Sequence, residues 1–293
     1  MRLTAAVEEY LLVWVLLAVA AGLLVPRLAV VTRFSTLILA VMVGSVSLTL
    51  TTDRFRAVDR GGLVAVLAGH AVMPLLAFGL ARALELGPDL TAGFVLLGAV
   101  TPELVTPTMT ELAGGDTALS STVLVLAGVG SMAFVPAVTG ALLAVDVAGV
   151  AIVEGLAVAV VAPMALAVTV RSRYDRLGAH EDGYTAVSAA MVVLIIGGVA
   201  AANADLVWGG EGLPAVLAGA VALNLVGYGL GYAVTAFADR GTRVAGTLSV
   251  GMRDFAVAAA LAVAAGFPTA AALPAVVFGV VEMATSAAIA QYA

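Results

Sequence analysis

Polar residues in this chain gather in short gaps between long apolar runs. A membrane-crossing helix needs about 20 mostly apolar residues. Ten segments meet that requirement, at 9–25, 29–50, 61–84, 91–112, 117–144, 147–170, 184–204, 211–237, 241–264 and 268–291. The gaps carry turn and charge signals, among them "TTDRFRAVDRGG", "ELGPD", "AGGD", "RSRYDRLGAHEDG" and "FADRGTR". The pattern predicts an all-α polytopic membrane protein with ten transmembrane helices. Two segments do not read as continuous helices. The fourth holds Pro102 and Pro107, and the ninth holds Gly251 followed by Arg253 and Asp254.

Composition sharpens this picture. Hydrophobic residues make up 62% and charged residues 11%, against about 45–50% and 25% in soluble domains. The partner to expect is a lipid bilayer. No cysteine is present, which excludes disulfides, thiolate metal sites and a cysteine nucleophile. A net charge of −6 argues against nucleic acid as a partner. The first apolar run follows Glu8 and Glu9 rather than a basic stretch, so it reads as a retained span and not a cleaved signal. No cofactor is expected.

All 13 basic residues are arginines, and they set the orientation. With the N-terminus inside, Arg2, Arg54, Arg56, Arg60, Arg171, Arg173, Arg176, Arg240 and Arg243 fall in inner gaps, and only Arg27, Arg33 and Arg82 fall in outer ones. That asymmetry is a positive-inside signal. It places both termini in the cytoplasm of a multi-pass protein of a prokaryotic inner membrane. Five spans precede residue 145 and five follow it. An odd number per half inverts the second half, so residues 1–145 and 146–293 read as two inverted five-helix repeats. The interrupted segment is the fourth of each half, and such paired interruptions point to a transporter's binding site.

The interruptions carry the chemistry. Pro102 and Pro107 each remove a backbone donor and clash with the carbonyl four residues back. Irregular backbone at this depth is tolerated only inside protein or beside water. Thr101, Thr106, Thr108 and Thr110 offer hydroxyls there, and Glu103 a carboxyl. A plain proline kink with hydroxyls bonding to their own helix is the bland alternative. In the ninth segment Gly251 breaks the helix, Ser249 adds a hydroxyl, and Met252 precedes the charged pair. Adjacent residues on a helix do not face each other. Arg253 is therefore expected to reach a carboxylate on another helix, Glu103 or Glu282, either as a structural ion pair or as a lining of the transport cavity. His70 is the one histidine inside a predicted span.

The runs "GAVTPELVTPTMTELAGGDTALSSTV", "SVGMRDFAVAAALA", "LAVMVGSVSLTLTTDRFR" and "GHAVMPLLAF" resemble the bile acid:sodium symporter family. The resemblance follows nearly the whole chain in order. It implies ten helices in two inverted repeats, with a panel from spans 1, 2, 6 and 7, a core from the others, and spans 4 and 9 broken and crossing. It also implies sodium sites, and here the chain departs from the family. Ser249 stands where the family has a carboxylate, Arg253 where it has glutamine, and Asp254 where it has asparagine. Gly69, beside His70, replaces a glutamine of span 3; Thr106 and Pro107 replace a Ser-Asn pair. Ser120 keeps the family's serine, while Leu124 replaces a threonine and Met283, beside Glu282, an asparagine.

A guanidinium is permanently charged and donates five hydrogen bonds. Arg253 is thus expected to take the electrostatic role of a bound sodium ion. The carboxyls Glu103, Asp254 and Glu282 outnumber it, and such groups serve as proton relays in transporters, so protons are the other candidate coupling ion. Together these residues point to a secondary active transporter of a small organic anion, a carboxylate or bile-acid-like, working by alternating access. A proton-coupled carrier of the auxin-efflux type and a monovalent cation/proton antiporter are the alternatives. No catalytic motif is present. The expected substrate and coupling site is Glu103, Thr106, Pro107, Thr108, Ser120, Ser249, Gly251, Met252, Arg253, Asp254, Glu282 and His70.

Overall fold

The computed structural model describes residues 11–49, 58–143, 149–209 and 212–292. The expected cytoplasmic N-terminus, the arginines Arg2, Arg54 and Arg56 and the boundary at 145/146 lie outside these residues. Among the described residues every regular element is helical. Eight helices are long and apolar enough to cross a membrane. Two further apolar helices are shorter, Val13–Leu24 and Pro88–Ala99.

In chain order the helices are α1 (Leu11–Leu24), α2 (Ser35–Ser47), α3 (Arg60–Ala83), α4 (Pro88–Ala99), α5 (Thr106–Leu112), α6 (Thr117–Leu143) and α7 (Gly149–Leu156). They continue with α8 (Ala162–Arg173), α9 (Glu181–Ala202), α10 (Ala204–Gly209), α11 (Leu213–Val234), α12 (Arg240–Gly251), α13 (Phe255–Ala264) and α14 (Leu273–Tyr292). A 3₁₀ turn over Pro26–Phe34 leads into α2, and a π-turn over Ala157–Val161 joins α7 to α8 just before Pro163.

Length explains the broken spans. A helix rises 1.5 Å per residue, so the 12 residues of α4 reach about 18 Å into a hydrocarbon core of about 30 Å. The 7 residues of α5 supply the remaining third. The 12 residues of α12 and the 10 of α13 divide the ninth segment in the same way. Each break therefore falls inside its apolar segment rather than at an end.

Packing falls into two neighbourhoods. Helix α9 packs against α1 and α2, and α2 also meets α8, while α3, α4, α6, α11 and α12 form a second set with α14. Helix α13 touches both, meeting α2, α7 and α9 on one side and α14 on the other. It is alanine-rich and buried from residue 255 to 262, which lets flanking backbones approach closely.

The turns at one end of the two broken spans interlock. Asp239 caps α12 by accepting from the Thr242 amide (3.1 Å) and hydroxyl (2.8 Å). The Thr242 hydroxyl, then its amide, hold the Asp239 carboxyl below the usual carboxylate range. Next to it, Arg240 donates to the carbonyls of Gly114 and Ala113 that follow α5. The Asp116 amide donates to the Gly241 carbonyl (3.0 Å), and the Asp116 carboxyl caps α6 through the Leu119 amide (3.0 Å).

A carboxyl held below its unfolded-state value stabilises the fold above that value, and the benefit is lost as pH falls through the folded-state value. Asp239→Ala should therefore lower the thermal midpoint of the detergent-purified protein at neutral pH, and the gap to the parent should close as pH falls through the carboxylate range. A gap that is constant with pH would show that the cap's charge contributes nothing.

Candidate functional site

The site is built where the two breaks meet. After Ala99 the chain turns extended at Val100, and Pro102 lies in the gap before α5. Pro107 sits in the first turn of α5, where its missing N–H would have had no helical acceptor. The Thr106 amide donates to the Glu103 carbonyl (2.9 Å) and closes the turn. On the other span α12 ends at Gly251, Met252 is extended, and α13 starts at Phe255. Asp254 is the N-cap of α13, its Oδ1 accepting from the Val257 amide at 2.8 Å. The Asp254 amide donates to the Thr101 carbonyl (3.0 Å), so the two irregular strands of backbone are hydrogen-bonded to each other.

Arg253 lies at the centre, 0% exposed. A charge at bilayer depth costs roughly 2.5–3.5 kcal/mol, so it needs several good acceptors. Its Nη1 donates to the Val100 carbonyl at 3.1 Å and to His70 Nδ1 at 2.6 Å, and its Nη2 to the His70 carbonyl at 3.4 Å. An arginine can only donate, so a ring nitrogen of His70 must be unprotonated to receive this bond; Nε2 also lies within 3.3 Å of Nη1. Each hydrogen bond to a charged group is worth about 1.5–3 kcal/mol, enough for two or three to offset the burial.

None of the hydrogen bonds of this guanidinium goes to a carboxylate, contrary to the sequence expectation. Glu282 is buried beside it, but its Oε2 accepts from the Arg253 backbone amide at 2.6 Å. The reason is the break. An amide just ahead of a new half-helix has no helical carbonyl to accept it, and Glu282 supplies the missing acceptor. Glu103 is also buried, with the Leu104 and Phe255 amides facing its carboxyl. Four polar atoms stay without a hydrogen-bond partner around the breaks: Arg253 Nε, Glu103 Oε2, Asp254 Oδ2 and Ser249 Oγ.

The remaining expected residues divide. Thr106 is buried, and its hydroxyl contacts Met252 Sδ at 3.9 Å, joining the breaks a second time. Ser120 is buried, but its hydroxyl bonds within α6 to the Thr117 carbonyl. Thr108 is exposed on α5, one position beyond the proline, and is not brought into the cluster. Thr110, four residues on from Thr106 and bonded to its carbonyl at 2.8 Å, lies on the buried face instead. Gly251 is required by close approach, because a Cβ there would lie 2.1 Å from the Tyr228 ring. Sequence reading passed over Tyr228 and Asn224 of α11 and Thr285 of α14, which adjoin Gly251 and Glu282. A lone asparagine inside an apolar span was the available signal.

Comparison with known proteins gives two matches. The model of the sodium bile acid symporter family matches residues 36–209. The chain is 28% identical over 296 aligned residues to a Bacillus subtilis (strain 168) protein named "uncharacterized sodium-dependent transporter YocS", covering 96% of this chain and 89% of the relative.

Gly251→Ala should lower the thermal midpoint, by an overpacking cost of about 1–3 kcal/mol. Gly79→Ala, at a glycine with open space around its Cβ, is the control and should leave the midpoint unchanged or raise it. Equal midpoints for the two variants would contradict the close approach.

Proposed function

Since the chain belongs to the sodium bile acid symporter family, a family of membrane transport proteins and not of enzymes, we propose that it is a secondary active transporter of a small organic anion whose built-in cation is Arg253. It works by alternating access at the crossing of the two broken spans. Residues 1–145 and 146–293 form inverted five-helix repeats, so that ten spans, counting the two half-helix pairs once each, make the fold. Spans 1, 2, 6 and 7 form the panel and the other six the core. The protein sits in a prokaryotic inner membrane with both termini in the cytoplasm.

One observation carries the reading: the fully buried Arg253 guanidinium bonded to the Val100 carbonyl at 3.1 Å. A carbonyl freed by a broken helix inside an apolar segment is the type of oxygen a hard cation takes as ligand. Here an arginine nitrogen holds it. The positions that supply the family's side-chain ligands hold Ser249, Arg253 and Asp254 instead. Sodium does not fit this set, because a cation beside Val100 would have to displace a permanent positive charge. The name of the Bacillus relative ties that protein to sodium; the residues of this crossover favour sodium-independent transport here. A small anion suits the cationic centre and the half-helix N-termini of α5 and α13, whose dipoles attract negative charge.

A proton-coupled carrier is the second reading. The buried and unpartnered oxygens of Glu103 and Asp254 favour it, since buried polar atoms without partners are rare in folded proteins.

Uptake into proteoliposomes tests the proposal, with radiolabelled taurocholate and benzoate as probes in sodium and in choline medium. The expected result is equal uptake in both media. Arg253→Gln should cut uptake in choline at least about tenfold, since one hydrogen bond to a charged group is worth roughly 1.5–3 kcal/mol. Sodium-driven uptake by the parent protein would overturn the reading.

A further inference from the structure

In an unbroken helix the Phe255 amide would donate to the Gly251 carbonyl, four residues back. It donates instead to the Arg253 carbonyl at 2.7 Å. The Gly251 carbonyl is thereby released inside the apolar segment, where an unsatisfied backbone group costs several kcal/mol. The donor that meets it comes from another helix: Asn224 Nδ2 of α11, at 3.5 Å. Asn224 is 0% exposed. Its other amide atom, Oδ1, accepts from the Thr285 hydroxyl of α14 at 2.7 Å. Because the Gly251 carbonyl can only accept, the NH₂ of Asn224 faces it and Oδ1 is left to the Thr285 hydroxyl. Tyr228 completes the set. Its hydroxyl lies 3.4 Å from Thr285 Oγ1, and its ring fills the space a side chain at residue 251 would need.

The two breaks are then treated alike. The carbonyl freed at the end of α4, Val100, receives a side-chain donor from α12–α13, and the carbonyl freed at the end of α12, Gly251, receives one from α11. We infer that Asn224, Thr285 and Tyr228 are positioning residues that hold the α12 break in its unwound form. Asn224 satisfies the Gly251 carbonyl, Thr285 orients Asn224, and the Tyr228 ring wedges against Gly251. Helices α11 and α14 thus determine where Met252, Arg253 and Asp254 stand. The inference deepens the transport reading and rests on it in one respect, that the α12 break lines the transport site.

Hydrogen–deuterium exchange of the detergent-purified full chain, followed on peptides covering Ser249–Val257, tests it together with taurocholate uptake. Asn224→Leu and Thr285→Val should each speed exchange at residues 252–256 about tenfold while α11 keeps its protection. The swapped pair Asn224→Thr with Thr285→Asn should restore protection toward the parent level, which a loss of mere packing would not permit. For uptake, Asn224→Leu should raise KM about fivefold with the maximal rate within about twofold, as a smaller fraction of the protein holds the competent break. Should Asn224→Leu not yield a folded protein, Thr285→Val decides. Exchange at the parent level in the folded variants would overturn the inference. Faster exchange with unaltered uptake would uphold the network and overturn the assignment of the break to the transport site.

Discussion

The structure depends on the hydrogen bond between the Arg253 guanidinium and the Val100 carbonyl. It joins two segments of backbone that could not otherwise survive at the depth where they lie. Lipid offers no donors or acceptors, so each helix that stops in mid-membrane leaves carbonyls and amides that the protein must satisfy itself. Around this bond the accounting closes in a few further steps. The Asp254 amide meets the Thr101 carbonyl, the Arg253 amide meets Glu282, and the Val257 amide meets Asp254. One partner comes from across the crossing, one from α14 and one from the cap of the next half-helix.

This arrangement separates two tasks. One is to pay the electrostatic cost of the breaks, which falls to fixed side chains: Arg253 and His70 on one side, Asn224 and Thr285 on the other. The other is to bind and release something mobile. Around the breaks four buried polar atoms stay without partners, Arg253 Nε, Glu103 Oε2, Asp254 Oδ2 and Ser249 Oγ. In the proposed account the Arg253 centre attracts the anionic substrate, and the unpartnered carboxyl oxygens of Glu103 and Asp254 are open to a coupling proton.

The sequence made the architecture legible because lipid imposes a length rule on every span. Among the described residues eight helices are long and apolar enough to cross a membrane, and two shorter apolar helices fall within the first and fourth expected segments or at their edge. Pro102 and Gly251 also marked the breaks correctly, for proline removes a donor and glycine removes the Cβ that Tyr228 would strike. The site was legible only as a neighbourhood. Thr108 was grouped with Thr106 by proximity in sequence, but two residues along a helix point to different sides, and Thr108 is exposed. Arg253 was assigned a carboxylate partner on charge alone. A broken helix offers strong neutral acceptors as well, and a free amide for the carboxylate to occupy. Asn224 and Thr285 stayed hidden because their role exists only once α11 and α14 are set beside Gly251, a long-range fact that no local pattern encodes.

The central claim is that a covalently attached cation stands where the family uses an exchangeable one. Sodium binding to the purified protein, measured by isothermal titration calorimetry in choline-based buffer, tests it most directly. The account predicts no saturable sodium binding to the parent protein. Saturable binding with a defined stoichiometry would contradict it.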